Sequence, residues 1–273
     1  MKRLLELIIL FLVAIGCNNE TVDTGPHIVD PPPFVDVSYD TTVPWTLIFD
    51  EEFDGTSLNT GSWNFDLGDG CPNLCQWGNQ EGQIYTDSNH KFIDGTLVIT
   101  VDTGPSSTRI NTKSKKEFGY SRVEAMIKLP TGGSGLWPAF WMLGSQGGWP
   151  DNGEIDIMEY VSRQPNTIHN ALHTRSSHGA TENHKQTYVQ DPENWHLYAI
   201  EWSSRQIDFF IDDTKTYTYK PNVQTTENWP FNKAFYLVLN VAVGGTFGGS
   251  IDNSIYPSEM HVDYIKVYER QQL

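Results

Sequence analysis

The sequence predicts an all-β protein, a β-sandwich jelly roll of two curved antiparallel sheets with a concave cleft. Three observations lead there. Short runs rich in Val, Ile, Thr, Phe, Tyr and Trp recur along most of the chain, separated by Gly, Pro, Asn and Asp turn signals. Apolar residues at helical spacing are nearly absent. A chain of 273 residues, less a leader, fits one large all-β domain, and it shows neither an internal repeat nor a second domain.

Taken in order, residues 1–16 form a targeting segment: Lys2 and Arg3 precede the apolar run from Leu7 to Ile15, which is too short to span a bilayer. The ending Gly16-Cys17 resembles a bacterial lipoprotein signal, in which Cys17 becomes the lipidated first residue, although Ala14 stands where Leu is usual. The alternative is an ordinary secretory signal cleaved near Gly16. Both readings export the protein, to the outer membrane or cell surface if lipidated and otherwise to the medium. Residues 17–43 contain Pro26 and the triplet Pro31-Pro32-Pro33 and are expected to be a disordered tether. The domain proper, residues 44–273, carries predicted strands at 46–53, 96–101, 122–129, 136–143, 154–161, 169–175, 195–202, 207–212, 234–243 and 261–268. Because side chains alternate along a strand, Trp137, Ala139 and Trp141 share one face and Phe140 and Met142 the other, one facing the core and one the cleft. By the same rule His169, Ala171 and His173 lie together, opposite Leu172.

Composition narrows the partner. With 34 acidic against 18 basic residues the net charge is −16, which repels nucleic acid and other polyanions. Nine Trp offer flat apolar faces of the kind a sugar ring stacks on. A neutral polysaccharide fits both facts, and a monomer is expected. Cysteine arithmetic agrees with an exported chain: with Cys17 lipidated, Cys71 and Cys75 remain as a pair able to close a small local disulfide that fixes the loop bearing Trp77 and Asn79. Too few ligands stand near them for a metal site.

The densest chemistry is Glu154-Ile-Asp156-Ile-Met-Glu159, entered from an Asn152-Gly153 turn signal. Glu154 and Asp156 share one face of a strand, and regular alternation would put Glu159 on the other. A β-bulge around Ile157-Met158 would return Glu159 beside them, and bulges are enriched at active sites. Two carboxyls facing each other across a glycosidic bond are the equipment of glycoside hydrolysis, one protonated by crowding and one attacking as carboxylate.

This motif, preceded by G-L-W-P-A-F-W-M-L from Gly135, resembles the signature of glycoside hydrolase family 16 in the bulged form of its laminarinase-like members. The likeness continues through W-G-N-Q-E from Trp77, A-L-H-T from Ala171, L-N-V-A-V-G-G from Leu239 and V-D-Y-I-K-V-Y from Val262. It implies an endo-acting, retaining β-1,3-glucanase that needs no catalytic cofactor, with mixed-linkage β-1,3-1,4-glucan as a second substrate. Glu154 would then be the nucleophile, Glu159 the acid/base and Asp156 the assisting acid. Trp137 and Trp141 become sugar platforms, Trp149 stands at the rim, and His173 is placed beside the acids. Asn79, Glu81, Arg122 and Asn240 match cleft-lining positions, although each could instead cap a turn or satisfy buried backbone. A structural calcium on backbone oxygens plus one carboxylate would match Glu52, Gly95 and Asp263, unless Asp263 simply pairs with Lys266. A galactanase for agar or sulfated polymers is the rival enzyme, with Arg122, Arg163 and Arg175 as the few cations at hand. A non-catalytic glucan-binding jelly roll is the rival from another class.

Overall fold

Alternating side chains give each strand one apolar face, and the computed structural model, which describes residues 43–270, packs those faces into a two-layer β sandwich. Seventeen strands are found among the described residues. They are β1 (Trp45–Glu51), β2 (Asn64–Asp66), β3 (Ile84–Tyr85), β4 (His90–Ile93), β5 (Thr96–Val101), β6 (Ser106–Ser107), β7 (Arg109–Asn111), β8 (Arg122–Lys128) and β9 (Leu136–Gly144). They continue with β10 (Glu154–Tyr160), β11 (Thr167–His173), β12 (His184–Tyr188), β13 (Trp195–Trp202), β14 (Ile207–Ile211), β15 (Thr214–Tyr219), β16 (Phe235–Val243) and β17 (Ser258–Arg270). A four-residue helix, α1 (Gly245–Gly248), follows β16.

One sheet runs β12-β11-β10-β9-β16-β7-β2 and the other β15-β14-β13-β8-β17-β5-β4, with β1 also on β17; both are antiparallel. Phe140, Met142, Ile155, Ile157, Leu172, Leu237 and Leu239 of the first sheet meet Val123, Ala125, Ile127, Ile200, Phe209, Val262 and Ile265 of the second in one buried core. The opposite face of the first sheet is left for the site.

All ten predicted strands are present, with ends displaced by up to two or three residues. Seven short strands were not predicted from the sequence. Among them β12 (H-K-Q-T-Y) and β15 (T-K-T-Y-T-Y) are exposed edge strands, which carry no buried alternation to read. The targeting segment, the lipidation at Cys17 and nearly all of the tether lie outside the described residues.

Candidate active site

The predicted bulge exists and aligns the acids. On β11, His169 lies opposite Glu159 and Ala171 opposite Asp156, so two residues of β10, Ile157 and Met158, face the single Asn170 of its partner. On β9 the register slips between Asp156 and Met158. Ile157 and Met158 both turn into the core, and Glu159 emerges on the face of Glu154 and Asp156. The turn into β10 depends on Gly153: its φ is +75°, and a Cβ there would stand 2.7 Å from the Pro230 ring. Asn152 ties the turn down by donating to the Gly144 carbonyl.

Each of the three predicted tryptophans donates its indole N–H to a polar group of the site. Trp149 donates to Glu154 Oε2 (2.7 Å), Trp137 to Glu159 Oε1 (2.8 Å) and Trp141 to Asn240 Oδ1 (2.8 Å). Two of these tryptophans therefore also orient the carboxyls of Glu154 and Glu159. Trp149 is half exposed. His173 Nε2 lies 3.0 Å from Asp156 Oδ2, and Glu154 and Asp156 share a hydrogen bond.

Burial raises the affinity of all three acids for protons; proximity raises it further for Glu154 and Glu159, whereas the hydrogen bond from Glu154 lowers it for Asp156. Desolvation, then Asp156, lifts Glu154 to about 8, while His173 and the Trp149 N–H oppose the rise. Asp156 is lifted to about 7, chiefly by burial. Glu159 is pushed well above the usual carboxyl range by burial and by Asp156, against the Trp137 N–H. Three such groups cannot all ionise, so at neutral pH the cluster holds protons in common and its titration steps belong to the set. It can therefore supply a carboxylate and a proton donor at once. Glu154, Asp156 and His173 also place ligand atoms within 4.8 Å of one another; Glu154 Oε2 is taken by Trp149, whereas Asp156 Oδ2, with no hydrogen-bond partner among the described residues, has only His173 Nε2 at 3.0 Å.

A second polar group lies across β9 and β16. Glu81 accepts from Asn79 (3.2 Å), Gln83 (2.7 Å) and Tyr85 (3.4 Å), and Asn240 donates to the Tyr85 hydroxyl (3.1 Å). Burial raises the pKa of Glu81 despite these bonds and despite Arg109. Arg109 lies 4.5 Å from the centre of the Trp77 ring and 5.0 Å from that of Trp141, with Asp66 at 2.9 Å from Nε. The Cys71–Cys75 disulfide forms and closes the loop leading to Trp77.

A family model for glycosyl hydrolases family 16 matches residues 77–266, more than half of the chain and all three acids. The chain belongs to this family. A β-glucanase of Rhodothermus marinus is 33% identical over 98% of this chain and 95% of its own. The crystal structure of a laminarinase from Flavobacterium sp. UMI-01 superposes with a TM-score of 0.80, at 50% identity over 82% of this chain and all of that one. The endo-β-1,3-glucanase of Pyrococcus furiosus gives 0.78, at 35% identity over 87% and 99%.

One predicted position is corrected. Arg122 is not on the site's sheet of this family 16 domain: it lies on β8, on the outer face of the other sheet, held by Glu124 (2.7 Å), Glu201 (3.2 Å) and Asp213 (3.0 Å). Its neighbours Val123 and Ala125 take the core face, so alternation turns Arg122 outward. A cation that does stand at the site is Arg109. No local pattern marks it, because its place follows from β7 pairing with β16, which sets Arg109 opposite Asn240. Phe247 of α1 was missed for the same reason. It stands edge-on to Trp137 (5.4 Å) and to His169 (4.9 Å), flanking the Glu159 side.

Proposed function

We propose that this chain is an endo-acting, retaining hydrolase of β-1,3-glucan, with mixed-linkage β-1,3-1,4-glucan as a second substrate. The observation that carries the reading is the bulge in β10, which sets Glu154 and Glu159 on one face, each fixed by its own tryptophan. Glu154 attacks the anomeric carbon while Glu159 protonates the departing oxygen, giving a glycosyl ester. Esterification removes the charge of Glu154, so the pKa of Glu159 falls, and the Glu159 carboxylate then takes a proton from the water that releases the sugar. Before attack the proton shared by Glu154 and Asp156 passes to Asp156, which leaves Glu154 as the attacking carboxylate and Asp156 neutral, with His173 Nε2 3.0 Å from Asp156 Oδ2 to hold that carboxyl in place. An open row of tryptophans suits binding in mid-chain.

The sulfated-galactan rival loses support, because Arg122 is on the other sheet, Arg175 is spent on Asp151, Arg163 donates to the Phe247 carbonyl, and Arg109, at the site, is paired with Asp66. Incubating the protein with laminarin, barley mixed-linkage glucan, agarose and carrageenan, and sizing the products over time, tests the reading. Short oligosaccharides from laminarin with an early loss of viscosity are expected. Glucose alone from the first time point, or cleavage of agarose in preference, would refute it.

The structural calcium belongs to the same reading. On one side of β17, pairing to β1 ends at Ile265 and pairing to β5 begins at Val262, so Glu52 and Gly95 converge on the bulge at Asp263. Lys266 engages Glu52 (2.6 Å) and Asp50 (3.7 Å), not Asp263, whose carboxylate has no partner among the described residues. The backbone oxygens of Glu52 and Gly95 with the Asp263 carboxylate make an all-oxygen set suited to calcium. Chelation by EGTA should lower Tm, and calcium but not magnesium should restore it. Equal Tm with and without chelator would remove the site.

A further inference from the structure

Paired residues on antiparallel strands share a face of the sheet, so the register maps the floor of the groove row by row. On one side of Glu159 the row passes through Ala139 and Asn240 to Arg109, and on the other through His169 to Gln186 of β12. The row of Asp156 reaches β12 at His184, and the row beyond Glu159 reaches it at Tyr188, opposite Thr167. The site face therefore continues two strand spacings past the acids, about 10 Å, to the edge of the sheet.

What the edge strand presents there suits a sugar. Tyr188 is 72% exposed, the highest value among the large hydrophobic side chains, yet its hydroxyl is held by Asn166 Nδ2 at 3.3 Å, so the ring is positioned without being covered. Gln186 is exposed on the same face. His184 Nδ1 donates to the Thr181 carbonyl at 2.8 Å, which leaves its Nε2 lone pair to accept from a hydroxyl. An aromatic face flanked by an amide and an imidazole acceptor is chemistry for a neutral sugar ring.

We propose that Tyr188, with Gln186 and His184, forms a remote subsite that binds a glucosyl unit of the chain beyond those flanking the cut. This rests on the reading of the groove as a β-1,3-glucanase cleft. The occupant is the substrate already lying across the acids, because the rows that carry Asp156 and Glu159 run without interruption onto β12.

The test is the ratio of kcat/KM for a linear β-1,3-glucan heptasaccharide to that for the trisaccharide. Only the longer chain can occupy the acid site and the edge strand together. Tyr188→Ala should lower this ratio about three- to tenfold, the range of an aromatic stacking contribution. Tyr188→Phe, which keeps the ring, should hold the wild-type ratio. Tyr188→Thr, a residue at home in an exposed strand, repeats the measurement should the Ala variant be unstable. An unchanged ratio in the Ala and Thr variants, or an equal fall on both substrates, overturns the subsite. A wild-type protein that cleaves neither oligosaccharide overturns the glucanase reading itself, and the subsite with it.

Discussion

Trp137 and Trp149 each stabilise the charged form of one catalytic carboxyl, which makes their effects separable. Replacing either by Phe removes an N–H aimed at a carboxylate and keeps most of the ring. The pKa of the carboxyl left behind must rise, since its ionised form loses a donor. For Trp149→Phe that carboxyl is Glu154, which must be ionised to attack, so the acidic limb of the kcat/KM profile should move to higher pH. For Trp137→Phe it is Glu159, which must be protonated to act first, so the alkaline limb should move to higher pH. Rates at the optimum should fall by roughly tenfold or more, as expected for a lost hydrogen bond to a charged group. Full pH profiles of both variants decide the matter: if both move the same limb, the roles given to the two acids are wrong.

At the level of the strand, the bulge makes a prediction that runs against intuition about deletions. Ile157 and Met158 occupy one inward position between them, so removing Met158 leaves regular alternation and still delivers the following Glu to the face of Glu154 and Asp156. The deletion variant should fold and keep measurable laminarin hydrolysis. Inserting Ala after Met158 makes the separation from Asp156 four residues, so alternation keeps that Glu on the face but sets it one pair, about 7 Å, further along the strand, which should abolish activity. Hydrolysis by the insertion variant alone would show that the register has been misassigned. This strand was legible in the sequence because three acids among Ile and Met have few arrangements that avoid burying an unpaired charge. Arg109 and Phe247 were not legible, since their positions depend on pairings with distant strands or on a glycine-rich turn. Arg122 was misplaced because a motif match gives no sheet assignment, and alternation with Val123 and Ala125 turns it off the core without saying on which sheet; the pairing of β8 with β13 and β17 decides that.

For the whole molecule, holding three carboxyls in a recess opposes folding at neutral pH. In the unfolded chain Glu154 ionises near its ordinary 4.5, and in the folded one only near 8. Between those values the folded state binds more protons, so its stability falls as pH rises. Glu154→Gln removes the share of this dependence that belongs to Glu154. The variant should match wild type near pH 4.5 and exceed it progressively up to pH 8, by about 1–2 kcal/mol or a few degrees in Tm. Thermal melts across that range would refute the claim if the difference vanished or grew toward acid. The position of β17 bears on something other than equilibrium. It is paired to β8 on one side and to both β1 and β5 on the other, so the strand made first among the described residues must wait for one of the last before either has its neighbours. Pairings this distant along the chain are slow to find. A growing polypeptide short of residues 258–270 cannot close its second sheet, because β17 alone joins β1 and β5 to β8 among the described residues.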